Sequence, residues 1–130
     1  MPFSQPIEVR FRDVDALGHV NNAVVVTYLE VARFAWWRDY LAGRPFADEA
    51  FLIARVEVDY LRPILITDRI RVEVRCPRIG RSSFDLQSRI LDDQGTCFAE
   101  GRTVQVMVDP GLARPTPIRP ETRAWLGTQA

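Results

Sequence analysis

A chain of 130 residues, 47% of them hydrophobic, is long enough for one domain with a core of its own. Seventeen basic side chains balance seventeen acidic ones, which gives no footprint for nucleic acid or an anionic membrane surface. Two cysteines, Cys76 and Cys97, are too few for a disulfide framework or a structural zinc site and read as small hydrophobes in strand-like runs. The N-terminal Met1-Pro2-Phe3-Ser4 has no basic region followed by an apolar core, so the expected compartment is the cytoplasm.

Ile7 to Phe11 alternates apolar and polar residues, the period of a half-buried strand. A polar loop, Asp13 to Asn21, leads into an apolar run from Ala23 to Leu41. Val24-Val25-Val26-Thr27 is β-branched and favours strand. The length of the run decides for a helix of roughly 28 Å, since strands seldom exceed ten residues. With few polar positions on any side, it is a helix that the rest of the chain wraps around. Glu30, Arg33 and Arg38 argue against a membrane span. Gly43 and Pro45 mark its end.

From Leu52 the period changes to two. Leu52, Ala54, Val56, Val58 and Tyr60 fall on one face, with Arg55, Glu57 and Asp59 on the other, until Pro63. Ile70 to Arg75 alternates again, Pro77 to Arg81 reads as a turn, and Phe84 to Ile90 as a strand. Asp92-Asp93-Gln94-Gly95 is a hairpin loop before a long strand from Thr96 to about Val108. Gly101 within that strand signals a bulge or a close backbone approach. Four prolines from Pro110 onward give an extended tail, with a short helix from Pro120 to Leu126 and Trp125 placed to pin it. One strand, one long helix and then a run of strands predict an α+β fold with an antiparallel sheet curled around a central helix.

The chemistry concentrates in Asp13-Val14-Asp15-Ala16-Leu17-Gly18-His19-Val20-Asn21-Asn22. Asn21 or Asn22 suits the N-cap of the helix. The free amides of its first turn and the helix dipole stabilise negative charge, and a carboxylate stands a few residues upstream. Gly18 allows positive φ or close approach of a substrate to the backbone. One histidine beside two carboxylates is a weak ligand set for zinc, so no metal and no cofactor is assigned.

With Tyr28-Leu29-Glu30-Val31-Ala32-Arg33, this stretch resembles the signature of the hotdog-fold acyl-CoA thioesterases of the 4-hydroxybenzoyl-CoA thioesterase group. Val58-Asp59-Tyr60-Leu61-Arg62-Pro63, Ile79-Gly80-Arg81-Ser82-Ser83-Phe84 and Gly101 to Asp109 resemble its later segments. The resemblance implies a single hotdog domain that hydrolyses an acyl-CoA to free acid and coenzyme A. A non-catalytic acyl-CoA binder on the same fold is the alternative. The thioesterase resemblance makes Asp15 the catalytic carboxylate, as nucleophile or general base, and Asp13 a pairing residue. It places the oxyanion against backbone N–H groups near Asn22 and Ala23, with Gly18 beside the substrate. It sets Arg81 and Ser82 at the phosphates of coenzyme A. In the related plant acyl-carrier-protein thioesterases an Asp-x-Asn-x-His pattern occurs. Asp15 and His19 match its ends, which gives His19 a role, while Leu17 replaces its asparagine. The resemblance also implies a homodimer with continuous sheets, or a dimer of dimers.

Overall fold

The computed structural model describes residues 2–111 and 114–130. Strand β1 spans Phe3–Ile7, helix α1 Asn22–Leu41, β2 Phe51–Tyr60, β3 Ile70–Ile79, β4 Ser83–Leu91, β5 Cys97–Met107 and helix α2 Pro120–Gly127. The strands form one antiparallel sheet in the order β1-β3-β4-β5-β2. No helix among the described residues is long and apolar enough to cross a membrane.

Helix α1 keeps its β-branched start because tertiary burial outweighs propensity: Val25 is buried, and Val24 packs against the core. Asn21 is the N-cap, its Oδ1 accepting from the Ala23 N–H at 2.8 Å. At the other end Ala42 takes the left-handed conformation (φ 50°) and Gly43 follows with φ 91°. Consecutive Trp36 and Trp37 are both fully buried, although neighbours on a helix point about 100° apart. The helix is therefore covered on more than its sheet face. The C-terminal segment supplies the second cover: Trp125 stacks 4.8 Å from Trp36 and 4.6 Å from Tyr40 between ring centroids. The Trp36 indole N–H donates to Gln129 Oε1, and that of Trp37 to the Glu49 carbonyl, each at 3.0 Å.

Three boundaries differ from the sequence reading. Strand β1 lies at Phe3–Ile7, because the chain leaves the sheet after Ile7 to make a 3₁₀ turn at Phe11–Asp13. The alternation up to Phe11 was that of extended chain outside the ladder, and Phe11 itself is 85% exposed. Pro77 does not begin a turn. It sits in β3 where the pairing shifts between Arg75 and Arg78, and a bulge removes the need for its missing N–H. The turn itself is Gly80-Arg81-Ser82. In β2 a second irregularity between Ile53 and Arg55 reverses the side-chain alternation at Ala54. Leu52 is thereby separated from Val56, Val58 and Tyr60, since a one-residue slip exchanges faces.

Strand β2 pairs with β5 on one side only, and among the described residues no strand covers its other edge. Leu52, Ile53, Val56 and Tyr60 on it are exposed, as are Val31 and Phe34 on α1. Gly101 of β5 is required by a close approach: a Cβ there would stand 2.6 Å from Leu29 Cδ1, and Leu29 is buried. Gly101→Ala is expected to lower unfolding stability by about 1–3 kcal/mol through overpacking, measurable by urea denaturation; unchanged stability would mean that Leu29 relaxes freely.

Candidate active site

The polar loop is a tight hairpin standing on a buried carboxylate. Asp13 is 2% exposed. Its Oδ2 accepts from the Tyr28 hydroxyl at 2.6 Å and from the Arg10 backbone N–H at 3.0 Å, and its Oδ1 accepts from the Arg10 guanidinium at 3.3 Å. Its carbonyl accepts from the Asn21 N–H at 2.9 Å. Burial by itself would raise the Asp13 carboxyl. The hydrogen bonds from Tyr28 and Arg10, with the charge of Arg10, outweigh that and hold it below the ordinary carboxylate range. The same desolvation and the carboxylate beside it push the Tyr28 phenol up.

Beyond Asp13, the chain bridges Val14 to Val20 and turns through Asp15 to Gly18. The Asp15 N–H donates to the His19 carbonyl at 2.8 Å, and the Gly18 N–H to the Asp15 carbonyl at 3.0 Å. Gly18 has φ 78°, a conformation that glycine adopts without strain. Asp15 Oδ1 accepts from the backbone N–H groups of Leu17 at 2.9 Å and His19 at 3.2 Å. The two oxygens of Asp15 are thus unequal: Oδ1 fixes the side chain, and Oδ2 has no hydrogen bond among the described residues.

Asp15, His19 and Asn22 line one cleft of about 270 Å³, together with Val25, Tyr60 and Arg62 and with Phe98 and Ala99 on β5. It is closed on one side by a second segment, where Leu65 bridges to His19 and the Val20 N–H donates to the Ile64 carbonyl at 2.8 Å. Of the backbone N–H groups near Asn22 and Ala23, that of Ala23 is held by the Asn21 cap. The Asn22 N–H makes no hydrogen bond among the described residues, so it is the free donor at this helix start. His19 is half-buried in the cleft wall, and its link to Asp15 runs through the backbone.

Arg81 and Ser82 lie elsewhere on this chain. Their turn meets the Met107 end of β5, with the Met107 N–H donating to the Ser82 carbonyl at 2.8 Å. Along β5, from Ala99 at the cleft to Val106 opposite Ser83, seven residues span about 23 Å. The turn is buttressed by Arg123, whose guanidinium donates to the Gly80 carbonyl at 2.8 Å, while the Arg81 side chain is exposed.

Two cleft residues went unnoticed in the sequence. Tyr60, last in β2, donates its hydroxyl to the Asn22 carbonyl at 2.9 Å and so ties the edge strand to the helix start. Arg62 lies two residues further on. Both stand in the Val58 to Pro63 run, but it is long-range pairing, the β2–β5 register and the contacts of Ile64 and Leu65 with the loop, that brings the run there. Among the described residues no three His, Cys, Asp or Glu side chains are grouped to hold a metal ion.

An antiparallel sheet around one long helix, with a polar cleft at the helix N-terminus, defines the hotdog class. Residues 9–126 match the model of the thioesterase-like superfamily, and the chain belongs to that superfamily. Among curated relatives, the acyl-CoA thioester hydrolase YbgC of Escherichia coli O6:H1 is 27% identical over 116 residues, 87% of each chain. The long-chain acyl-CoA thioesterase FadM of Escherichia coli K12 is 26% identical over 106 residues, covering 79% of this chain and 80% of that one. Among solved structures, a thioesterase of Thermus thermophilus complexed with coenzyme A and Zn superposes with a TM-score of 0.84 at 38% identity over 95% of both chains. A thioesterase of Bacillus stearothermophilus, described as predicted, superposes with a TM-score of 0.91 at 28% identity over 100% of this chain and 97% of that one.

The Asp13 network gives a stability prediction with a definite sign. A folded-state pKa below the unfolded value adds stability above about pH 4, and the gain is lost as pH falls through the folded pKa. Asp13→Asn is therefore expected to destabilise at pH 7 by about 1–3 kcal/mol, the cost of a broken buried hydrogen bond. The gap to wild type should narrow when denaturant melts are repeated near pH 3. A gap independent of pH would mean that the charge of Asp13 contributes nothing.

Proposed function

We propose that the protein is an acyl-CoA thioesterase in which Asp15 supplies the attacking oxygen to the thioester carbonyl. The observation that carries this reading is the pairing, in one cleft, of a carboxylate with one uncommitted oxygen and a helix start with one uncommitted N–H. Attack on a thioester needs both an electron-rich oxygen and a donor where the carbonyl oxygen becomes negative. Asp15 Oδ2 fills the first role, either by attacking directly or by deprotonating water. The Asn22 N–H fills the second, assisted by the dipole of the twenty-residue α1. His19, on the same wall, is placed to assist proton movement at the departing thiol. The activities named for the similar proteins support the reading. Simple binding of an acyl-CoA would need no carboxylate held this way.

Asp15→Asn keeps an Oδ1 for the Leu17 and His19 amides, so the loop keeps its shape. Thiol release from a panel of acyl-CoAs is expected to fall at least ~10²-fold, as for loss of a positioned base. An equally active Asp15→Asn enzyme would remove this mechanism. A wild type that binds acyl-CoA tightly without turnover would favour the binder instead.

The cleft is read as half of a larger site. The free edge of β2 and the exposed Ile53, Val56, Val31 and Phe34 suit a second copy laid edge to edge, since a long open strand edge is otherwise a liability. Such a dimer would give Arg81 and Ser82 of one copy a route to the phosphates of a coenzyme A bound at the cleft of the other. Static light scattering at micromolar concentration is expected to give at least twice the chain mass. A monomer would leave Arg81 without that role.

A further inference from the structure

The cleft contains a cation that the proposed chemistry does not use. Of the residues lining it, Arg62 is the arginine, and its guanidinium makes no ion pair or hydrogen bond among the described residues. The root of that side chain is fixed. The Leu61 and Arg62 N–H groups both donate to the Phe98 carbonyl, at 2.9 and 3.0 Å. Pro63 restricts the backbone that precedes it, and Ile64 is held to the loop through Val20. The nearest acid in sequence, Asp59, lines the depression on the far face of the sheet beside Arg102. Asp15 stands in the same cleft without forming an ion pair with Arg62. Arg62 is exposed where it lines the cleft; a positive charge with its backbone fixed at the edge of a small cleft, and no acid paired to it, suits an anionic ligand group, which a guanidinium binds with two parallel N–H donors.

We propose that Arg62 is the anion-recognising, specificity-determining residue of this cleft, taking an anionic group carried by the thioester substrate. This rests on the thioesterase reading and names what that reading leaves open. Two sources offer the chemistry: a carboxylate at the far end of a short acyl chain, or a phosphate of the thiol carrier.

The test compares wild type, Arg62→Gln and Arg62→Lys on three substrates: glutaryl-CoA, pentanoyl-CoA and pentanoyl-pantetheine. The first two differ by a terminal carboxylate, the last two by all phosphates. Arg62→Gln is expected to lose about ten- to a hundred-fold in kcat/KM, the worth of one charge-assisted contact, on the substrates that carry the recognised anion. Arg62→Lys should keep part of it. Selective loss on glutaryl-CoA locates an acyl carboxylate; loss on both CoA esters but not on pentanoyl-pantetheine locates a phosphate. Equal loss on all three, or loss on none, overturns the proposal, and matched thermal midpoints exclude misfolding as the cause. Should wild type hydrolyse none of the three, the thioesterase reading fails separately. Calorimetric binding of glutaryl-CoA then decides for Arg62: tenfold weaker binding by Arg62→Gln keeps the role, and equal affinity ends it.

Discussion

The cleft loop depends on one buried, fully hydrogen-bonded carboxylate. Asp13 binds the Tyr28 hydroxyl from the second turn of α1, the Arg10 backbone and guanidinium from the incoming chain, and the Asn21 N–H through its own carbonyl. These contacts fix the approach of the chain, the exit of the loop and the azimuth of the helix. A buried charge is tolerated only where such donors surround it. Everything between Asp13 and Asn21 can then be a short hairpin with exposed tips, because both of its ends are held. That is how Asp15, itself exposed, keeps one oxygen committed and one free.

The helix carries a second demand. It must present its N-terminus to the cleft while its remaining length fills the core, and Trp36 and Trp37 show how the space is closed. The sheet covers one side. Trp125, stacked on Tyr40 of the helix, and the 3₁₀ turn at Phe46–Glu49 close the other, with Thr122 Oγ1 donating to the buried Glu49 at 2.9 Å. Each indole N–H finds an acceptor on a different segment, so the two tryptophans fix the position of the tail as well as filling volume.

Much of this was legible in the sequence. The length of the apolar run outweighed the β-branched start, Gly101 signalled a bulge or a close approach, of which the structure shows the latter, and the Asp13 to Asn22 spacing placed a carboxylate by a helix N-terminus. The strand limits at Ile7 and Pro77 were less legible, because alternation records extended chain and does not say whether a neighbour is hydrogen-bonded to it. The distinction between Asn22 and Ala23 was hidden for a related reason. Which asparagine caps the helix depends on whether the backbone of Asn21 leaves the helical region, and that follows from its bond to Asp13. The place of Tyr60 and Arg62 beside the loop was not legible, although their segment was, since it comes from a register formed with residues some forty positions later.

That register joins the open sheet edge to the cleft. Strand β2 presents its open edge to solvent, yet its last residue donates to the carbonyl of Asn22, and the chain just beyond it supplies Arg62. A shift of β2 along β5 would move the free edge and the cleft wall together. The bulge at Ala54 lies between the Phe51 anchor and this functional end. It turns the strand once, so that Leu52 and Val56 face opposite ways while Tyr60 still reaches the helix. Paired to β5 from Phe51 to Tyr60 and open on its other edge, the strand could accept a neighbour there without breaking a bond it already makes. Such pairing would confine, rather than rearrange, the helix start to which Tyr60 is bonded.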